Sequence, residues 1–266
     1  MLETNEDLIE VYDAQLKHLG RIALNGLLED KLDFEESELQ SADKSPVFEF
    51  LSVQTGGSKI RPRRRYSFQH KSFQEWFAAL FRSFQLIKKE ISPDSLLADR
   101  RYAHELKEVL LFTCGLLAAR CKEEAVALTK CIMTEVNRGD SDGCLTVLLQ
   151  CTRECEQNNQ SSLFAYPDNS SSTKLAHELG SLLKLQTLEL IRRQISAADA
   201  VVLADMLKYN RTLEVLKLSG NQIGAAGVAH LADALKFNAT LTKLNLSSNC
   251  IGARSEEHTS ELQSQR

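Results

Sequence analysis

The stretch LEVLKLSGNQI, residues 213–223, decides the fold because the chain writes it three times. It recurs 28 residues later as LTKLNLSSNCI (241–251) and stands 28 residues earlier as LQTLELIRRQI (185–195). The intervening stretches match as well, SAADAVVLADMLKYNRT (196–212) against GAAGVAHLADALKFNAT (224–240). Self-similarity at a fixed period marks a solenoid of stacked units. Each unit predicts a short strand followed by a helix. In the strand Leu213, Leu216 and Leu218 alternate inward, and in the helix Val228, Leu231 and Leu235 make one apolar face. A single unit cannot bury both faces, so neighbours must stack. Asn221 and Asn249 fall where the chain turns off the strand, and their amides can satisfy backbone groups left unpaired by the curve. Arg193 holds that position in the first unit.

The residues between the strand leucines face outward, onto the concave surface of such an array. They are Thr187, Glu189 and Ile191, then Val215, Lys217 and Ser219, then Lys243, Asn245 and Ser247. These nine are the candidate partner-binding positions.

With 266 residues the chain has room for one large domain or two to three small ones. Apolar residues at 43% and charged residues at 26% are ordinary for a soluble globular protein. A net charge of -4 gives no general pull toward nucleic acid or an anionic membrane, so no nucleic-acid partner is expected. No apolar run reaches membrane-spanning length. Met1 to Asp7 lacks the basic and then apolar plan of a secretory signal, which leads to the expectation of a cytoplasmic protein. The cysteines number seven and form no CxxC pair. Cys151 and Cys155 are spaced i,i+4, but a zinc site needs about four ligands, and the thiols read as small core residues in a reducing compartment.

Upstream of the repeats, residues 8–28 carry a helical apolar stripe from Leu8 to Leu28, and 35–39 reads as one further helical turn. Phe48 to Val53 and Tyr66 to Phe68 read as short strands around a loop holding Gly56, Gly57 and the basic run KIRPRRR, 59–65. A helix follows with Phe73, Trp76, Phe77, Leu80, Phe81, Phe84 and Ile87 on a broad face. Helix, helix, hairpin, helix is the plan of a winged-helix domain. Further helices are expected at 102–119, 122–137 and 141–153, then a polar linker over 156–172 with Ser171 to Thr173 as a helix cap. The expected organisation is a mostly α N-terminal part, winged helix (1–90) plus helical bundle (91–155). After the linker comes an α/β leucine-rich-repeat solenoid at 173–253. The stretch RSEEHTSELQS (254–264) resembles the conceptual translation of a sequencing-library adapter, so 254–266 is set aside as an artefact.

The repeats resemble the ribonuclease-inhibitor type of leucine-rich repeat. The segment YSFQHKSFQEWFAALF (66–81) resembles the hallmark of the NACHT-containing NOD-like receptors, whose pattern closes a winged helix with aromatic-x-His-x-Ser/Thr-Phe-Gln-Glu-Phe-Phe-Ala-Ala. Trp76 stands where phenylalanine is usual. LKHLGRIALNGLLEDKLDFEESEL (16–39) and ELKEVLLFTCGLLA (105–118) are similar to the flanking parts of the same arrangement, and the resemblance runs over 8–253. It implies a fragment of a cytosolic innate immune receptor that self-associates when whole. Its repeats would meet a protein partner or a microbial or danger ligand on the concave face. It also implies that His70, which matches the motif histidine, reaches nucleotide phosphates in the closed state. An imidazole that donates N–H suits that anion.

The departures limit this. No GxxxxGK[ST] occurs, and TGGSK at 55–59 lacks the spacing, so the nucleotide-binding core would lie outside this chain. ATP or ADP is expected only in a full-length receptor, with His70 as part of a site completed elsewhere. No Ser/His/Asp set, metal cluster or carboxylate pair has motif support, and no enzyme activity is expected. The basic run reads as a solvated wing loop. The competing reading is a stand-alone leucine-rich-repeat scaffold or inhibitor with no nucleotide switch.

Overall fold

A computed structural model of the chain describes residues 12–39, 49–58, 61–138, 141–157 and 174–252. The expected linker beyond its first two residues, the Ser171–Thr173 cap, the tail 254–266, and Leu8 and Val11 of the first stripe lie outside the described residues. The chain divides into two compact units, Met1–Glu124 and Ala125–Arg266.

The first unit opens with helix α1 (Asp13–Leu28), which buries Leu16, Leu19, Ile22, Ala23 and Leu24. Strand β1 (Asp33–Glu35) follows, then β2 (Leu51–Ser58) and β3 (Arg61–Phe68), forming an antiparallel sheet in the order β1-β3-β2. Two expectations are corrected here. The acidic stretch read as a helical turn begins in a strand, with Phe34 opposite Tyr66 and Glu35 opposite Arg65. The described part of the basic run, Arg61 to Arg65, is not loop but strand, paired from Ser58↔Arg61 to Leu51↔Phe68. Strand propensity is low for Asp, Glu, Gly and Pro, and cross-strand hydrogen bonds override it. The plan is therefore helix, strand, hairpin, helix.

Helix α2 (Lys71–Ile87) lies between α1 and α4 (Lys107–Arg120), with the short α3 (Pro93–Leu97) and a 3-10 turn (Arg100–Ala103) leading from one to the other. Its buried face carries Phe77, Ala78, Ala79, Leu80, Phe84 and Leu86, but Phe73 of the predicted stripe remains exposed. The helices meet closely because residue 20 is glycine. A Cβ there would lie 2.6 Å from the Phe77 carbonyl oxygen and 2.8 Å from Phe81 Cβ. Phe77 also joins helix to sheet, with ring centroids 5.4 Å from Phe50 and 5.9 Å from Phe68, and Phe68 in turn 5.9 Å from Phe34.

Helix α5 (Lys122–Asn137) crosses from the first unit into the second, where α6 (Ser141–Gln157) and α7 (Lys174–Leu182) precede the repeats. The repeats are β4 (Thr187–Glu189), α8 (Ala197–Tyr209), β5 (Val215–Lys217), α9 (Gly224–Leu235) and β6 (Lys243–Asn245). The strands form a parallel sheet, β4-β5-β6, each residue pairing with the one 28 positions on, as in Leu188↔Leu216↔Leu244. Leu188, Leu190, Leu213, Leu216 and Leu218 are buried beneath it. Burying each leucine side chain contributes about 2 kcal/mol, so the matched period holds the register firmly. Helix α7 reaches α8 through Gly180, where a Cβ would lie 2.2 Å from the Met206 carbonyl oxygen. Arg153 of α6 pairs with the buried Asp199 at 2.8 Å, and Asp199 closes the capping box of α8 with Ser196.

Candidate partner-binding site

The nine candidate positions lie on the side of the parallel sheet opposite its buried leucines. Register aligns Thr187, Val215 and Lys243 in one row across the strands, and Glu189, Lys217 and Asn245 in a second. Ile191, Ser219 and Ser247 continue the pattern past the strand ends, where Arg192 N–H donates to Ser219 O (3.0 Å) and Gly220 N–H to Ser247 O (2.9 Å). Val215, Lys217 and Ser219 in the middle unit are half-buried, and the six flanking positions are exposed, Ile191 by 41%. Neighbouring strands lie about 4.8 Å apart, so the three-strand face is only about 10 Å across.

Lys217 Nζ lies 2.5 Å from Glu189 Oε1, and the two charges offset each other. Among the described residues Lys243 makes no ion pair, which leaves the Thr187, Val215 and Lys243 row with a positive end. Asn245 Oδ1 accepts from the backbone N–H (3.0 Å) and hydroxyl (2.8 Å) of Ser247, so these two positions organise each other.

The face is held in place by asparagines. Asn221 Nδ2 donates to Leu190 O (2.7 Å) and Leu218 O (2.8 Å), while its Oδ1 accepts from Arg193 N–H (2.9 Å) and Ile195 N–H (3.1 Å). Asn249 repeats the pattern, donating to Leu218 O (2.8 Å) and Leu246 O (3.0 Å) and accepting from Ile223 N–H (3.4 Å). This is the role its place in the sequence predicts. The turn after each strand also places a residue in the left-handed region, Arg192 (φ 54°), Gly220 (φ 73°) and Ser248 (φ 56°), and the first and third turns add a second, Gln194 (φ 58°) and Cys250 (φ 54°).

A second ladder was not predicted. At the far end of each helix, Asn210 donates to Gly180 O (3.0 Å) and Leu183 O (2.8 Å) and accepts from Leu213 N–H (2.8 Å). One period on, Asn238 donates to Leu207 O (2.7 Å) and Asn210 O (3.1 Å) and accepts from Leu241 N–H (2.8 Å). The signal was present, since both asparagines keep the 28-residue spacing and are followed by threonine two residues later. Asn137 acts similarly before the first strand, donating to Leu182 O and accepting from Lys184 N–H, both at 2.9 Å.

His70 belongs to the other compact unit. It is the N-cap of α2, with Nδ1 accepting the Ser72 backbone N–H at 3.1 Å and the Ser72 hydroxyl oxygen 2.6 Å away. An imidazole nitrogen that accepts from an amide carries no hydrogen. The neutral ring therefore holds its hydrogen on Nε2, the nitrogen left over from the cap. The ring is exposed.

The family model described as "Leucine Rich repeat" matches residues 209–232 and 237–254, so this part of the chain is a leucine-rich-repeat region. The "NACHT, LRR and PYD domains-containing protein 3" of Rattus norvegicus is 34% identical over 73 residues. That alignment covers 27% of this chain and 7% of the relative's length. No described helix is long and apolar enough to cross a membrane.

Proposed function

We propose that this chain is a regulatory helical region joined to the partner-binding repeats of a cytosolic NOD-like innate immune receptor. The repeats form a short solenoid, and its sheet face takes a protein partner or a microbial or danger ligand through Thr187, Glu189, Ile191, Val215, Lys217, Ser219, Lys243, Asn245 and Ser247. The observation that carries this reading is the doubled asparagine ladder, because its bonds brace the backbone that carries the nine positions and so lower the ordering cost of binding. The likeness to a relative whose name carries NACHT and LRR domains supports the family, as does the segment 66–81.

In a full-length receptor the first unit serves as the winged helix of the nucleotide switch, and His70 Nε2–H meets a phosphate of bound ADP. The Ser72 bond to Nδ1 suits this role by aiming the donor nitrogen away from the helix. The chain by itself is a binding module rather than an enzyme and holds no nucleotide. Capture of proteins from cell lysate tests the face. Wild type is expected to retain partners that the double variant Val215→Asp/Lys217→Glu releases, and an unchanged set of partners rules the face out.

A further inference from the structure

The basic run, which neither the repeats nor the proposed switch uses, leads into a motif of its own, Arg64-Arg65-Tyr66-Ser67-Phe68. Two arginines stand three and two residues before a serine, and an apolar residue follows it. Arginine-directed protein kinases select this pattern, because carboxylates in their clefts pair with guanidinium forks while an apolar pocket takes the next side chain. A substrate lies extended in such a cleft, and this segment is already strand, the end of β3.

Pairing places Ser67 on the solvent side of the basic ribbon formed by β2 and β3. Phe34, Leu51 and Phe68 belong to the core side, where Phe34 and Leu51 are buried and the Phe68 ring lies 5.9 Å from that of Phe77. The other side carries Asp33, Glu35, Gln54 and Arg65, all exposed, with Ser52 and Ser67 half-buried among them. Among the described residues the Ser67 hydroxyl meets only that of Ser52, 2.9 Å away. β1 covers β3 only at Arg65, Tyr66 and Ser67, and two of its three residues are acids with low strand propensity. So short an edge strand opens at low cost, which frees one edge of the Ser67 segment.

We propose that Ser67 is a phosphorylation site for an arginine-directed protein kinase and that the phosphate releases β1. The γ-phosphoryl group of ATP passes to Ser67 Oγ. The new Oγ–P bond forms as the bond to ADP breaks, and the hydroxyl proton leaves to a base of the kinase. The product carries about 1.5 to 2 negative charges at pH 7. Asp33 stands directly across from Ser67, so like charges then face each other at a paired position and repel. Arg65, two residues back on the same side and about 6.6 Å away, makes no ion pair among the described residues and is placed to take the phosphate. Its cross-strand neighbour on β1 is Glu35, so turning to the phosphate withdraws a charge that favours β1. Both effects act on the one short strand.

Incubation of the full chain with the catalytic subunit of cAMP-dependent protein kinase and Mg²⁺-ATP, followed by peptide mass spectrometry, tests this. Phosphate is expected on Ser67, with an initial rate at least about tenfold lower in Arg64→Gln and in Arg65→Gln. Hydrogen exchange of the 33–35 amides should run about fivefold faster in the phosphorylated chain than in the unmodified one. Asp33→Asn should keep the incorporation and remove most of that acceleration. Failure of Ser67 to take phosphate overturns the proposal, as does a rate indifferent to both arginines. Equal exchange at 33–35 before and after phosphorylation overturns the release of β1.

Discussion

Asn221 and Asn249, one period apart, donate to the same acceptor: both side-chain amides reach the Leu218 carbonyl at 2.8 Å. The shared oxygen lies at the end of strand β5, so each asparagine braces its own turn and the strand of the unit before it. Leu218 is fully buried, and water cannot replace either donor.

Asn221→Ala therefore strands several buried groups at once. Leu190 O loses this donor, and Arg193 N–H and Ile195 N–H lose their shared acceptor. An unsatisfied buried group costs about 1–3 kcal/mol, so a loss of about 3 kcal/mol is expected in urea unfolding followed by circular dichroism. Asn249→Ala should cost less, since its Oδ1 accepts Ile223 N–H at 3.4 Å. Equal losses would show that the two asparagines do not differ as their bonds do.

The two tight helix crossings predict a second pair of effects. Gly180→Ala puts a methyl group 2.2 Å from the Met206 carbonyl oxygen, and Gly20→Ala puts one 2.6 Å from that of Phe77. Backbone cannot swing aside as a side chain can, so each should cost about 1–3 kcal/mol. The sites fall in different compact units, and the double variant should lose the sum within about 0.5 kcal/mol. Calorimetry of the three variants checks this, and a marked departure from additivity would mean that the units do not unfold independently of each other's packing.

How much of this was legible depends on where the information sits. The repeat register was readable because a 28-residue period writes the same leucines into each strand, and the sheet pairs them one to one. The basic ribbon was not, because Gly56, Gly57, Pro62 and four arginines carry neither alternation of apolar residues nor strand propensity. Their pairing comes from backbone hydrogen bonds across the hairpin. β1 was lost for the same reason, two acids flanking Phe34. The Asn221 ladder could be seen because the residue follows a strand, whereas Asn210 acts across two turns distant in sequence, reaching back to Gly180 and forward to Leu213.

His70 separates a local role from a proposed distant one. Its Nδ1 caps α2, and losing a cap costs about 1 kcal/mol. His70→Ala should lower stability by that much in the isolated chain. His70→Asn, which supplies another capping acceptor, should restore it. Thermal unfolding of both variants measures the difference. If alanine and asparagine lose the same amount, the Ser72 bond is not stabilising.

His18 gives the chain a dependence on acid. Among the described residues no partner meets its buried Nε2, and Arg21 Nη2 lies 3.4 Å from Nδ1. Burial, followed by the nearby Arg21 charge, holds the imidazole below its ordinary value near 6.5. In the unfolded chain the ring takes up a proton as pH falls through that value, while in the folded chain it resists until the pH is lower. Between those two points the unfolded state binds more protons, so stability falls with falling pH and levels off once the folded ring is also charged. Urea midpoints measured from pH 7.5 to 5.5 should decline below about pH 6.5. His18→Gln, uncharged throughout, should flatten that decline relative to wild type. A variant that keeps the wild-type slope would place the titrating group elsewhere in the chain.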